Sequence, residues 1–305
     1  MPSKTDVKNS TLNIYEKNLN KLSMDINKSD PPSNCKWLED FDKIMTHINK
    51  SKSLHTRKNK INTVVIYLQA TSCKQSIIKK YQDEIVKLSQ EIMNNYNDNT
   101  KNEKQAQNWM SLNELIEFKN KLLLEVPKKI TTYEDYKKLM KYLILETHLE
   151  LPLRNDLVDA QLYDEKNFMK IDEVNTSNYL VLSTKKGYLI LNNYKTSNVY
   201  GRKKLELSPE LFKIWRKFMK IISEFTQNNH IFIKEDKNKM TRNDYTKFFT
   251  NIFKHLNKKI SSTMIRHIIV SEKFPVKPKE MEERQELANI MGHSVNEAQQ
   301  VYAKA

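Results

Sequence analysis

The chain has 305 residues, room for two domains of ordinary size, and its 52 lysines and arginines against 37 aspartates and glutamates leave a net charge of +15. That excess is spread along the chain and selects a polyanion as partner, while the regularly recurring aliphatic and aromatic positions exclude a basic disordered protein. No apolar run approaches the ~20 residues that a bilayer span needs, no signal-peptide core is visible, and three glycines, at 187, 201 and 292, are too few for a phosphate-cradling loop or a dinucleotide fingerprint.

Two cysteines, Cys35 and Cys73, supply neither a disulfide framework nor a metal-ligand set and read as packing in a reducing compartment. The expectation is an intracellular, unsecreted protein with no membrane, nucleotide, metal or other cofactor among its partners. From Ser10 the positions Leu12, Tyr15, Leu19 and Leu22 have helical spacing, and after Pro31-Pro32 a second helix shows Trp37, Leu38, Phe41, Ile44, Met45 and Ile48 on one face. A third helix, about Thr56 to Leu68, buries Ile61, Val64, Val65 and Leu68, and a fourth carries Ile77, Ile78, Tyr81, Ile85, Leu88 and Ile92. The polar stretch Asn94 to Gln105 reads as a loop, and the capping box Ser111-x-x-Glu114 opens another helix through Leu112, Leu115, Ile116, Leu122 and Leu123.

These helices define a domain over 10–125, after a flexible N-terminus at 1–9. Lys52, Arg57, Lys58 and Lys60 cluster at the start of the third helix, where they can grip phosphates without reading bases; a solvated basic face looks the same in sequence. Residues 126–131, with Pro127 and two lysines, form a linker to a second domain over 132–305.

Thr132 caps a helix with Tyr136, Leu139, Met140, Leu143 and Ile144 at i, i+3, i+4, i+7 and i+8, and Pro152 ends it. Arg154 and Asp156 follow directly. Tyr179 to Leu182 and Tyr188 to Leu191 read as a β-hairpin, and Lys204 to Leu207 as a third strand beyond the turn at Tyr200-Gly201. Lys195 lies in the connecting loop, with Arg202 and Lys203 close behind it. Ser208-Pro209 starts a helix through Leu211, Trp215, Phe218, Met219 and Ile222, and another runs from Arg242 to Asn257. After Ser261-Ser262 a helix buries Met264, Ile265, Ile268 and Ile269 and carries Thr263, Arg266 and His267. Finally Gly292 stops a helix, Ser294 and Glu297 form a capping box for the next, and roughly 13 Å of helix rise separates His293 from Tyr302.

The order Arg154, Lys195, Arg266-His267, Gly292-His293, Tyr302 resembles the tyrosine recombinase family, the phage-integrase-like enzymes that cut and rejoin DNA. The resemblance covers the chain from Ser10 onward. It implies a mainly α fold with a small antiparallel β-sheet (α+β): an all-helical core-binding domain followed by a mixed catalytic domain. It further implies that Arg154 and Arg266 bind the scissile phosphate, that Lys195 (or its rival Lys203) is the general acid, that His293 supports the phosphate, and that Tyr302 is the nucleophile. Duplex DNA is then the partner, with four protomers assembling on two sites, and the location is wherever that DNA resides, the host nucleus or a viral factory for a eukaryotic virus. The chain departs from the family pattern twice. Its acid follows the first arginine by two positions instead of three, and Thr263 stands where the family has His or Lys, offering a hydroxyl without charge. A type IB topoisomerase-like enzyme shares the chemistry, and a non-catalytic DNA-binding protein with a degenerate site shares the fold.

Overall fold

The computed structural model describes residues 9–97, 101–171, 177–226 and 228–273. The chain divides into two compact units, 1–100 and 101–305. In the first, α1 (Asn9–Asn27), α2 (Phe41–Asn49), α3 (Leu54–Ala70) and α4 (Gln75–Asn97) surround a core that includes Leu22, Leu38, Ile44, Ile48, Ile61, Val64, Leu68 and Tyr81. The second expected helix splits in two. Asp40 accepts the Lys43 amide and caps α2, so Trp37 and Leu38 fall in a separate 3-10 turn, Lys36–Leu38, whose Leu38 carbonyl accepts the Tyr81 hydroxyl. The polar stretch after it is more helical than expected: α4 continues to Asn97, and Asn102 with Gln105 forms a capping box that opens the short α5 (Glu103–Asn108).

The helix of the Ser111–Glu114 capping box, α6 (Leu112–Glu125), packs with the second unit. Its Leu115, Phe118 and Leu122 lie in that unit's core, and the break between units falls at 100/101, well before the 126–131 stretch. Next comes α7 (Tyr133–Glu150), buried on almost every side from Tyr136 to His148, which makes it the central helix of this unit. Each of its fully buried leucines contributes about 1.5–3 kcal/mol by leaving water.

The sheet order is β1-β2-β3-β4, built from β1 (Ala160–Asp164), β2 (Asn178–Leu182), β3 (Gly187–Leu191) and β4 (Lys203–Glu206). The hairpin and the third strand stand where the sequence puts them, but β1 pairs parallel to β2, so the sheet is mixed instead of purely antiparallel. β1 has no counterpart among the strands expected from sequence, since five residues with two inward apolar positions carry no distinctive pattern. Side chains alternate. Leu162, Leu180, Leu182, Leu189 and Leu191 face the main core, while Tyr179, Val181 and Ile190 form a small second cluster with Tyr163, Phe168, Ile171 and Tyr188, beside α8 (Glu165–Phe168). Gly187 sits at a close approach: a Cβ there would lie 2.8 Å from Leu207 Cδ1, so the leucine side chains around it would have to shift.

A short α9 (Ser197–Tyr200) leads into β4. α10 (Pro209–Thr226) is anchored where Glu150, at the end of α7, accepts the amide and hydroxyl of Ser208, and Trp215 donates to Thr147. α11 (Arg242–Ile252) ends earlier than its apolar pattern suggests. A 3-10 turn, Lys254–Leu256, follows it, leaving Leu256 exposed. α12 (Ser262–Lys273) closes the described part, burying Met264, Ile265, Ile268 and Ile269 as its spacing requires. The protein is thus mainly helical with one small sheet, an α+β fold, and no described helix is long and apolar enough to cross a membrane.

Candidate active site

The site is organised around the 3-10 turn Asn155–Asp159. α7 stops at Leu151-Pro152, and two residues later Arg154 stands exposed at the mouth of this turn. Asn155 joins it to two helices: the Ser262 hydroxyl donates to Asn155 Oδ1 at 2.7 Å, Asn155 Nδ2 donates to Thr246 Oγ1 at 2.7 Å, and Thr246 in turn donates to the Arg242 carbonyl at 2.7 Å. Arg266 lies one helical turn beyond Ser262 on the same face of α12. The two arginines expected from sequence therefore stand on elements held together by one amide side chain.

Asp156 is buried, 7% exposed, and its carboxylate is the negative centre of the cluster. Burial raises its pKa; Arg242, Arg154 and Arg266 act in the opposite direction, and that shared influence puts all three guanidinium groups within electrostatic range of one carboxylate. Arg242 makes the direct contacts, Nη2 at 3.3 Å from Asp156 and Nε at 2.8 Å from Asp159, and Lys239 completes the group at 3.0 Å from Asp159. Two cationic side chains thus pair with the two carboxylates, and Arg154 and Arg266, which act on Asp156 from a distance, leave a positive excess that can receive an anion.

Beneath Arg154, His148 is fully buried, its ring 4.9 Å from that of Phe249. Burial pulls it down to about 4, against the backbone carbonyls of Ile144 and Arg154, so the ring is neutral at physiological pH and adds no charge beneath the cluster.

The loop carrying Lys195 is attached to the same turn. Buried Asn178 accepts the amides of Asn192 and Asn193 at 2.9 and 2.8 Å and donates to the carbonyls of Asn193 and Asp156 at 3.0 and 3.1 Å. Arg242 Nη2 reaches the Asn193 carbonyl as well, at 3.4 Å. Two residues on, Lys195 is exposed. The loop is closed by Tyr194, whose hydroxyl donates to the Gly201 carbonyl at 2.8 Å, and Gly201 supplies the positive φ of 63°. Lys203 lies over the rings of Tyr194 and Tyr200, at 5.0 and 5.2 Å. Arg202 is placed differently: with Lys204, Glu165, Tyr179 and Tyr188 it lines a pocket of about 310 Å³ on the second face of the sheet.

Thr263 and His267 are both exposed on α12. His293, Tyr302 and the Ser294–Glu297 capping box lie outside the described residues. In the first unit, Arg57 donates to the Ser51 carbonyl at 2.6 Å and Lys60 to the Ser51 hydroxyl at 2.9 Å, so both hold the turn before α3. Burial and nearby Lys21 lower the Lys60 pKa. Lys52 is exposed and Lys58 half-buried on the same segment.

Arg242, Asp159, Asn155 and Asn178 had no place in the sequence reading. Nothing local singles out Arg242: it follows the capping residue Thr241 directly, and Asp244 in the same first turn offsets its opposition to the helix dipole. Its partners Asp156 and Asp159, spaced i, i+3, belong to a turn far away in sequence.

No protein-family profile and no curated protein matches the chain. Among solved structures, a crystal structure of XerA recombinase resembles it at 13% identity with a TM-score of 0.35, covering 95% of this chain and 85% of that one.

Proposed function

We propose that the chain is a metal-independent tyrosine site-specific recombinase or integrase that cuts and rejoins duplex DNA, in the service of a virus or other mobile element. The observation that carries this reading is the gathering of Arg154, Arg242 and Arg266 around Asp156, with the Lys195 loop tied to the same turn. Attack on a phosphodiester builds negative charge on the non-bridging oxygens. Arginine forks supply fixed hydrogen-bond donors to that charge without metal or proton exchange.

In this scheme the Tyr302 hydroxyl releases its proton as its oxygen attacks phosphorus, the bond to the 5′-oxygen breaks, and Lys195 gives that oxygen its proton. The 3′-phosphotyrosine keeps the bond energy for religation by a 5′-hydroxyl. His293 hydrogen-bonds the scissile phosphate and helps activate Tyr302, Asp156 orients the arginines, and Thr263 and His267 have supporting roles. Lys52, Arg57, Lys58, Lys60, Arg202 and Lys203 hold the duplex through its phosphates, and four protomers on two sites exchange strands.

The test is incubation of the full chain with duplex DNA from candidate element ends, followed by denaturing electrophoresis. A covalent adduct is expected with the native chain and none with Tyr302→Phe; an adduct that survives this change overturns the nucleophile. Arg154→Ala and Arg266→Ala should each slow cleavage by about 10²–10³ while changing DNA affinity far less. Relaxation of supercoils without joining of two sites would identify the topoisomerase-like alternative. Thr263, an uncharged group where the family has a cation, favours the non-catalytic alternative, and binding without any adduct would decide for it.

A further inference from the structure

The two cysteines, 38 positions apart, come together in the first unit. Among the described residues, the one group of three potential metal ligands is Cys35, Glu39 and Cys73, whose ligand atoms all lie within 4.8 Å of one another. We propose that these three side chains bind a single thiophilic divalent metal ion, zinc by preference, through two thiolates and one carboxylate oxygen, with water in the fourth position. Zinc–sulfur bonds of ~2.3 Å in a tetrahedron put two sulfurs about 3.8 Å apart, so the two sulfurs have to close by about 1 Å at most.

The backbone prepares all three ligands. Cys35 and Glu39 bracket the 3-10 turn Lys36–Leu38 as its flanking residues, an i, i+4 pair, and the Cys35 side chain makes no capping hydrogen bond. Cys73 is delivered by a Schellman closure of α3, in which its amide donates to the Leu68 carbonyl at 3.0 Å and the Ser72 amide donates to that of Gln69 at 3.2 Å. Ser72 occupies the left-handed position, φ 51°, where glycine is usual, so this closure is held at some conformational cost. Trp37 and Tyr67 pack beside the cluster, ring centroids 6.4 Å apart, and Tyr67 is hydrogen-bonded to the Pro32 carbonyl, which fixes the segment leading to Cys35.

Among the described residues, no lysine, arginine or histidine forms an ion pair with Glu39. On binding, each S–H bond breaks, a metal–sulfur bond forms, and the two protons go to solvent. The ion would tie the turn before α2 to the α3–α4 connection.

The test uses the full-length protein, reduced and stripped with a chelator, titrated with cobalt(II). Expected are a thiolate-to-cobalt charge-transfer band and the visible bands of tetrahedral cobalt, saturating at one equivalent and erased by zinc. Cys35→Ser and Cys73→Ser should each abolish the charge-transfer band or reduce it by half or more. Glu39→Gln should keep the band and weaken binding by tenfold or more. The native spectrum decides even if a variant fails to fold. Absence of a charge-transfer band in the reduced protein, or a band unchanged in the double serine variant, overturns the site.

Discussion

Arg242→Ala is the change that separates a built electrostatic centre from a surface ion pair. Arg242 contacts Asp159 at 2.8 Å and Asp156 at 3.3 Å with 46% of its side chain exposed, while the Asp156 side chain is only 10% exposed. Breaking a fully buried pair costs about 3–5 kcal/mol and an exposed one about 0–1, so a half-exposed arginine facing a buried acid should cost about 1–3 kcal/mol. For a unit of this size that is a fall in Tm of about 3–10 °C. Urea unfolding at neutral pH, followed by tryptophan fluorescence, measures it. Much of the loss comes from stranding Asp156, so adding Asp156→Asn to Arg242→Ala should recover part of it. The pH dependence has a definite sign. The folded-state pKa of Asp156 is raised, so its protonated form favours folding and its charged form opposes it; the penalty of Arg242→Ala is largest at neutral pH and shrinks as pH falls through the folded pKa. A penalty under about 0.5 kcal/mol, or strict additivity in the double variant, would refute the reasoning.

Asn178→Ala removes the side-chain partner of two amides and two carbonyls beneath the Lys195 loop; it should cost about 2–4 kcal/mol by denaturant unfolding and, in the cleavage assay, slow the step that needs Lys195 more than it weakens binding. Ser72→Gly relieves a left-handed serine and should stabilise the first unit by about 0.5–1 kcal/mol; a loss would show that the Ser72 side chain has a role of its own. His148 is depressed from 6.5 to about 4, so its contribution to stability is complete above pH 6.5 and is lost as pH falls toward 4, by about 3 kcal/mol in all. Unfolding profiles over that range should be flatter for His148→Phe than for the native chain, and superimposable profiles would rule the group out.

What was legible in the sequence follows from the range over which each interaction acts. Helices announce themselves locally: the box at Ser111–Glu114 and the cap at Thr132 are each set within three residues, and both form. So did the inward stripe of α12, because a period of 3.6 needs no knowledge of the partner. β1 fails that test, since a five-residue strand is defined by the parallel neighbour it finds at Asn178–Leu182. The site divides in the same way. Arg154 and Arg266 could be named from their order along the chain, but what holds them is made of long-range polar contacts: Asn155 to Thr246 and Ser262, Asn178 to Asn193, and Arg242 to a pair of acids some eighty residues away. None has a period or a local motif. The two cysteines looked like filler for the same reason, because the turn that aims Cys35 and the helix end that aims Cys73 are each unremarkable until the fold superposes them. Arg242 is no exception: Asp244, in the first turn of the same helix, already balances the dipole there, so nothing near Arg242 in sequence points to the acids it meets.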